Sequence, residues 1–537
     1  MKKDLWGYLR NVKITPEKVF FILAVVFSVL VTFVATGYCI DSDASSELVL
    51  AEHLAKTGQL LSEDWIYSTE LRILNTQLIY APLFLVFSSW HMVRFVGALI
   101  LQAILLLSFF GFTRLMDMEK KVFYLCGGIL LLPVSVCWGR IVLYNCYYVP
   151  HISICLWITG LTFTKRYNAK RMILLGALSF VGGLSGIRQL MMTHAPAVVV
   201  VFIHWWLHDY RNKNQNEAFL KTKYPLILTT AFAAAMSFAG FVVNKLYLSQ
   251  RFIFSDQSIN VIRLLDAGNI KAVLYGFFHH FGFRDEIGLV TLLGVLSALG
   301  ILLGIFCVLI SVSQILRHED HTDLTEVLPY TFFVAFILVM LLVFLVIGNE
   351  YYFVLYFTPM VIWMVPVLVL QMKTHTPDSS AWNLKRILPV LAVGVLLING
   401  VVNGGYFADQ TDYSQKYEGL QYQVKNQKAR MAAVVEFLEM ENYELGYATF
   451  WNGNIVTEMT DGDIKMIHLR IDADSGETEL NDWLTLKSNR QLQGKKEFIL
   501  LEAELQEAFE ADKDLADYPI VYTDELFVVY AVPSQGS

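Results

Sequence analysis

The sequence predicts a multi-pass α-helical membrane protein with a small α/β domain at its C-terminal end. Three observations predict it. Of 537 residues, 55% are hydrophobic and only 17% charged, where soluble domains carry roughly 25% charged residues. The mean hydropathy is +0.49. Apolar runs near the roughly 20 residues needed to cross a bilayer recur through residues 1–403, whereas 404–537 is polar.

By that length criterion there are about eleven spans. They start near residues 19, 95, 122, 150, 172, 192, 225, 289, 328, 353 and 387. The first is too long for a signal peptide, and no small-residue cleavage site follows it, so it is read as a retained span. Six cysteines lie in or beside spans. None has metal-ligand spacing, and they read as small buried hydrophobes.

Lysine and arginine set the orientation. The clusters Lys2/Lys3/Arg10/Lys13/Lys18, Arg114/Lys120/Lys121, Lys165/Arg166/Lys170/Arg171, Arg211/Lys213/Lys221/Lys223 and Lys373/Lys385/Arg386 fall on one side together with Arg317. About half as many basic residues fall on the other side before residue 404. The N-terminus is therefore expected in the cytoplasm, with the C-terminal domain outside a cell (plasma) membrane. This requires Leu74–Trp90 to lie in the outer interface or re-enter, within a first external loop of about 39–94.

Two domains follow: the membrane part, 1–403, and an external α/β domain, 404–537. The latter carries twenty-five acidic against eleven basic side chains. So acidic a domain is not expected to seek nucleic acid or anionic lipid. In it KARMAAVVEFLEME reads as a helix, YATFW and IKMIHL as strands and NDWLTL as a helix start. EFILLEAEL reads as strand then helix, and LFVVYAV as a last strand.

The stretch CIDSDASSELVLAEHLAKTG (Cys39 to Gly58) follows the first span. Projected as a helix, it puts Asp43 and Glu47 on the face shared with Leu50, Leu54 and Leu61, one turn apart, while Glu52 faces away. A carboxylate on an apolar face is costly unless capped, paired or functional. Asp43 is thus a helix N-cap, a general base, or both.

In these residues the chain resembles the GT-C glycosyltransferases, multi-pass enzymes that use polyprenyl-phosphate-linked sugars, such as the protein O-mannosyltransferases and aminoarabinose transferases. The likeness covers about residues 1–210. It rests on Asp43, the helix SELVLAEHLAKTG, the run Gln77 to Trp90, HMVRFVGALILQ with Arg94, and WGRIVLYNCYYVPHI with Arg140. Ala44 stands where a second acid is usual, and Asn145 where an acid is common. Both departures imply action without a divalent metal, and no cofactor beyond the lipid-linked donor.

The resemblance implies inverting transfer of a hexosyl or pentosyl group from a polyprenyl-phosphate carrier to a glycan, lipid or protein hydroxyl, in the cell envelope. Asp43 is the implied base, with Glu47 orienting it. Such chemistry needs cations for the leaving phosphate, and an arginine fork suits them. The candidates are Arg188 in GGLSGIRQLMM, Arg140, and Arg284 in HHFGFRDE. For Arg188 a snorkelling role is the other reading. Glu70, Arg72, Asn75 and Gln77 in STELRILNTQ are candidates for sugar or acceptor, as is Tyr352. His279 and His280 read as a surface loop rather than metal ligands. Two other classes compete: a transporter or flippase for a lipid-linked glycan, and a non-catalytic envelope glycan-binding protein. The absence of an internal repeat and the polar groups gathered at one face argue against transport.

Overall fold

The computed structural model describes residues 15–533 except 70, 72, 212–215, 256–260, 263–266, 286, 319–323, 349–352, 374–383, 418–419, 473–474, 493–494 and 512–517. Helix α1 (Pro16–Tyr38) opens with proline in its first turn, where a missing N–H costs nothing. The chain reverses through Cys39, Ile40 and Asp41 into α2 (Ser42–Thr57), which ends on left-handed Gly58 (φ 68°). Then come α3 (Gln77–Phe84), α4 (Trp90–Leu115), α5 (Lys120–Leu130), α6 (Val149–Phe163), α7 (Ala169–Ser185), α8 (Ala195–Arg211) and α9 (Asn216–Val243). The later helices are α10 (Ala267–His279), α11 (Leu292–Arg317), α12 (Leu328–Val346), α13 (Val361–Lys373) and α14 (Leu384–Ala408).

Among the described residues, eight helices are long and apolar enough to cross a membrane. A ninth arises if Val136–Tyr144 and Val149–Phe163, bent by 90°, form one span. This is fewer than the eleven expected from apolar content. The run near 122 yields only the 11 residues of α5, because Pro133 lies just beyond it and cannot continue a helix. The run near 172 yields the 17 residues of α7, which Gly186 ends at φ 146°. The bend at 145–148 has Cys146 at φ 61° and Pro150 in the first turn of α6. The run Leu74–Trp90 forms only the 8-residue α3, too short to cross.

Helix α7 crosses α9 closely. A Cβ on Gly183 would stand 1.9 Å from the Ser237 carbonyl oxygen, so this approach requires glycine.

The C-terminal part starts with a hairpin of β1 (Tyr413–Tyr417) and β2 (Leu420–Val424). Next come α15 (Gln427–Met440), β3 (Leu445–Thr449), α16 (Phe450–Met459), β4 (Lys465–Ile471), β5 (Thr478–Leu480), β6 (Glu497–Glu502), β7 (Ile520–Thr523) and β8 (Phe527–Ala531). The sheet order is β5-β4-β3-β6-β8-β7, with β3 parallel to both β4 and β6 and the other pairs antiparallel. Met431, Val434 and Leu438 of α15 and Ile455 and Val456 of α16 pack on Phe498, Leu500, Phe527 and Val529. The α/β class expected for the tail is therefore present. Two details differ: YATFW is split between β3 and α16, and NDWLTL forms no helix. Its Leu486 instead bridges Trp65 in the segment between α2 and α3. The segment is irregular, with Leu484 at φ 49°, and Leu486 is held by that cross-domain bridge.

Candidate active site

The site grows from the start of α2. Its N-cap is Asp41, not Asp43: Asp41 Oδ1 accepts the Ala44 N–H at 2.8 Å. The reversal after α1 is so short that the helix begins at Ser42, which leaves Asp43 inside its first turn. Asp41 Oδ2 accepts Arg140 Nε at 2.9 Å and Asn145 Nδ2 at 2.7 Å. Asp41 is thus engaged at both oxygens. Asp43 is half-buried, and both carboxylates lie within electrostatic reach of Tyr147. Glu47, 1% exposed, accepts the Thr76 hydroxyl at the mouth of α3. Its charge lies against a helix N-terminus, where a carboxylate is favoured. Asn75 and Gln77 are buried in the same turn, and Asn75 Oδ1 accepts the Thr76 N–H at 2.9 Å.

One turn into α4 lies Arg94, 0% exposed. Its Nε donates to Glu458 Oε1 at 2.7 Å and a terminal nitrogen donates to Oε2. The other terminal nitrogen reaches Asn145 Oδ1 at 3.5 Å. Glu458 belongs to α16 of the C-terminal domain and also accepts Ser45 Oγ at 2.6 Å. Asn145, where the resemblance anticipated an acid, instead bridges the Arg94–Glu458 and Asp41–Arg140 pairs.

Arg140 leads away from the acids. A terminal nitrogen donates to the Gln423 carbonyl at 2.9 Å, and its guanidinium lies 5.6 Å from the Tyr422 ring centroid. Tyr422 and Tyr413 of the hairpin are 6.4 Å apart, and Tyr413 and Tyr406 6.0 Å. Arg284 closes the series 5.2 Å from the Tyr406 ring. Burial holds the Tyr422 phenol well above its ordinary pKa, so it stays protonated. Arg284, 5% exposed, donates to Asn403 Oδ1 at 2.5 Å and to the Tyr406 hydroxyl at 3.3 Å.

Arg188 approaches from another side. It follows the Gly186 turn, is half-buried, and lies 5.0 Å from the Tyr148 ring. Tyr148 neighbours Tyr147 at 5.5 Å. Asp41, Asp43, Arg140 and Arg188 are thus brought around the bend at 145–148, and Arg284 lies at the far end of the tyrosine series. Glu70, Arg72 and Tyr352 lie outside the described residues. His279 and His280 are buried rather than on a surface loop: His280 bonds Ser135 Oγ at 3.1 Å and the Val354 carbonyl at 2.8 Å. His279 packs on Tyr422, because its helix α10 ends inside the bundle.

No protein-family model and no curated protein sequence matches the chain. Its three-dimensional arrangement does match solved structures. The aminoarabinose transferase ArnT from Cupriavidus metallidurans, bound to undecaprenyl phosphate, superposes with a TM-score of 0.50 at 10% identity, over 95% of this chain and 97% of that one. The fold is that of the GT-C glycosyltransferases. The archaeal oligosaccharyltransferase AglB from Archaeoglobus fulgidus, in complex with an inhibitory peptide and a dolichol-phosphate, gives a TM-score of 0.45 at 10% identity, over 97% of this chain and 74% of that one.

On this GT-C scaffold, sequence reasoning missed Asp41 as cap and ion-pair partner, though it stands two residues from Asp43. It also missed Glu458, Tyr413 and Tyr422. The tail gave no signal for them. A glutamate in an amphipathic helix and tyrosines in a short hairpin look the same whether they face solvent or another domain.

Proposed function

We propose that this chain is a membrane glycosyltransferase that moves a sugar from a polyprenyl-phosphate carrier to a hydroxyl acceptor at the outer face, with inversion. The acceptor oxygen attacks the anomeric carbon as the bond from that carbon to the phosphate oxygen breaks. The bonding pair leaves with the phosphate, and Asp43 takes the acceptor proton. Arg140, Arg188 and Arg284 are the proposed cations for the phosphate charge. Glu47, Asn75 and Gln77 hold the α2–α3 corner against which the acceptor is oriented. The reaction is proposed to run without a divalent metal, since guanidinium groups supply the positive charge beside the acids. In this proposal the N-terminus is cytoplasmic and the C-terminal domain external.

The observation that carries the reading is the gathering of Asp41, Asp43, Arg140 and Arg188 around one bend, on a GT-C fold. Asp41, bonded at both oxygens, serves the scaffold, and Asp43 serves the acceptor. The test is envelope glycan analysis of a deletion strain complemented with wild type or with Asp43→Asn. The Asn variant is expected to accumulate normally and to lose transfer by about 10²-fold or more. A full complement of the sugar in the Asp43→Asn strain excludes Asp43 as base.

A further inference from the structure

We infer that Glu458 of the external domain is a positioning residue for the start of α2, and through it for Asp43. The inference rests on the reading of Asp43 as base, but its geometry stands apart from that reading.

Helix α16 grips α2 at two residues that bracket Asp43. Ser42 Oγ donates to the Trp451 carbonyl at 2.6 Å, and Ser45 Oγ donates to Glu458 Oε2 at 2.6 Å. On a helix Ser42 and Ser45 lie about 60° apart, and Asp43 projects about 130° from their midpoint. A domain bonded to both serines therefore holds the opposite side of α2 and turns Asp43 away from itself. The same α16 is anchored to α4. Glu458 neutralises Arg94, and Asp461 Oδ1 accepts the Trp90 N–H at 2.7 Å, one of the donors a helix start leaves unpaired. Arg94 in turn touches Asn145, which donates to Asp41. Glu458 thus reaches the candidate acids by two routes: directly at Ser45, and through Arg94 and Asn145 at Asp41.

A buried ion pair that only holds the fold together would be replaceable by two well-packed apolar side chains. That separates the two roles. The full chain in detergent is compared as wild type, Ser45→Ala, and the double variant Arg94→Met/Glu458→Met. Hydrogen exchange is read over residues 42–47 and 145–149, along with thermal unfolding and transfer from lipid-linked sugar in membranes. The double variant is expected to unfold near the wild-type temperature and to exchange roughly tenfold faster in those two segments. Its transfer is expected to fall to about a tenth of wild type or less, as a misoriented base predicts. Ser45→Ala, which leaves the ion pair intact, is expected to raise exchange at 42–47 and lower kcat with KM unchanged.

The inference is overturned if the double variant exchanges as wild type in both segments, or if exchange rises while transfer is retained. A wild type without any transfer, with the exchange pattern as expected, sinks the glycosyltransferase reading and leaves the positioning contact standing.

Discussion

Two buried arginines in this molecule are held in opposite ways. Arg94 is saturated: Glu458 accepts from two of its nitrogens and Asn145 from the third. Arg284 is almost as deeply buried, yet among the described residues its hydrogen-bond acceptors are neutral oxygens, Asn403 and Tyr406. The first charge is cancelled inside the protein, so removing it should mainly damage the fold. Among the described residues no carboxylate hydrogen-bonds the second, which lies against the Tyr406 ring, a costly arrangement unless an anion completes it. Arg94 has the Glu458 carboxylate as its partner, whereas the described acceptors of Arg284 carry no charge.

The sharpest way to break this comparison is Arg94→Met. It strands the Glu458 carboxylate and should cost about 3–5 kcal/mol, seen as a large drop in melting temperature in detergent. On the proposed transferase reading, Arg284→Met should instead leave the melting temperature within a few degrees and weaken binding of a polyprenyl phosphate roughly tenfold, as fluorescence titration would measure. If the two variants exchange phenotypes, the distinction is wrong. Gly462→Ala comes next in size. Gly462 has φ 86°, and a Cβ there would stand 2.8 Å from the Trp90 ring. The substitution should cost about 1–3 kcal/mol and loosen the C-terminal domain over Arg94, without altering the carrier binding proposed for Arg284.

A further prediction concerns pH. Burial lowers the His468 pKa from 6.5 to about 4, and its Nδ1 donates to the Trp483 carbonyl at 2.9 Å. Above pH 6.5 the ring is neutral in folded and unfolded states alike. Between 6.5 and about 4 only the unfolded chain gains the proton, so stability falls as pH falls through that window. Melting of the C-terminal domain should show this slope, and His468→Asn should flatten it.

Much of the architecture was legible in the sequence, because membrane insertion is decided locally. A run of apolar residues favours the membrane wherever it occurs, and the acidic turn after the first span could be placed on a helix by projection alone. The alternation of strand and helix in the tail was legible for the same reason. Span length was less so: Pro133 and Gly186 shorten α5 and α7 in ways that apolar content does not register. Among the candidate residues, Arg188 was named from its place at the end of a span pair and Arg140 from the family resemblance. Asp41 was passed over because the choice between two acids two residues apart depends on where the chain reverses, and the reversal is set by packing.

By itself, then, the sequence determined that the chain is a helical membrane protein, that acids follow its first span, and that arginines stand at the ends of later spans. These follow from composition, periodicity and charge, which act over a few turns. Only the tertiary structure decided which carboxylate caps α2, which arginine is neutralised, and that the counter-charge for Arg94 comes from Glu458, 364 positions along the chain. The physical reason is that a buried charge is tolerated only beside its partner in space, and spatial partnership across domains leaves no periodic trace in either segment.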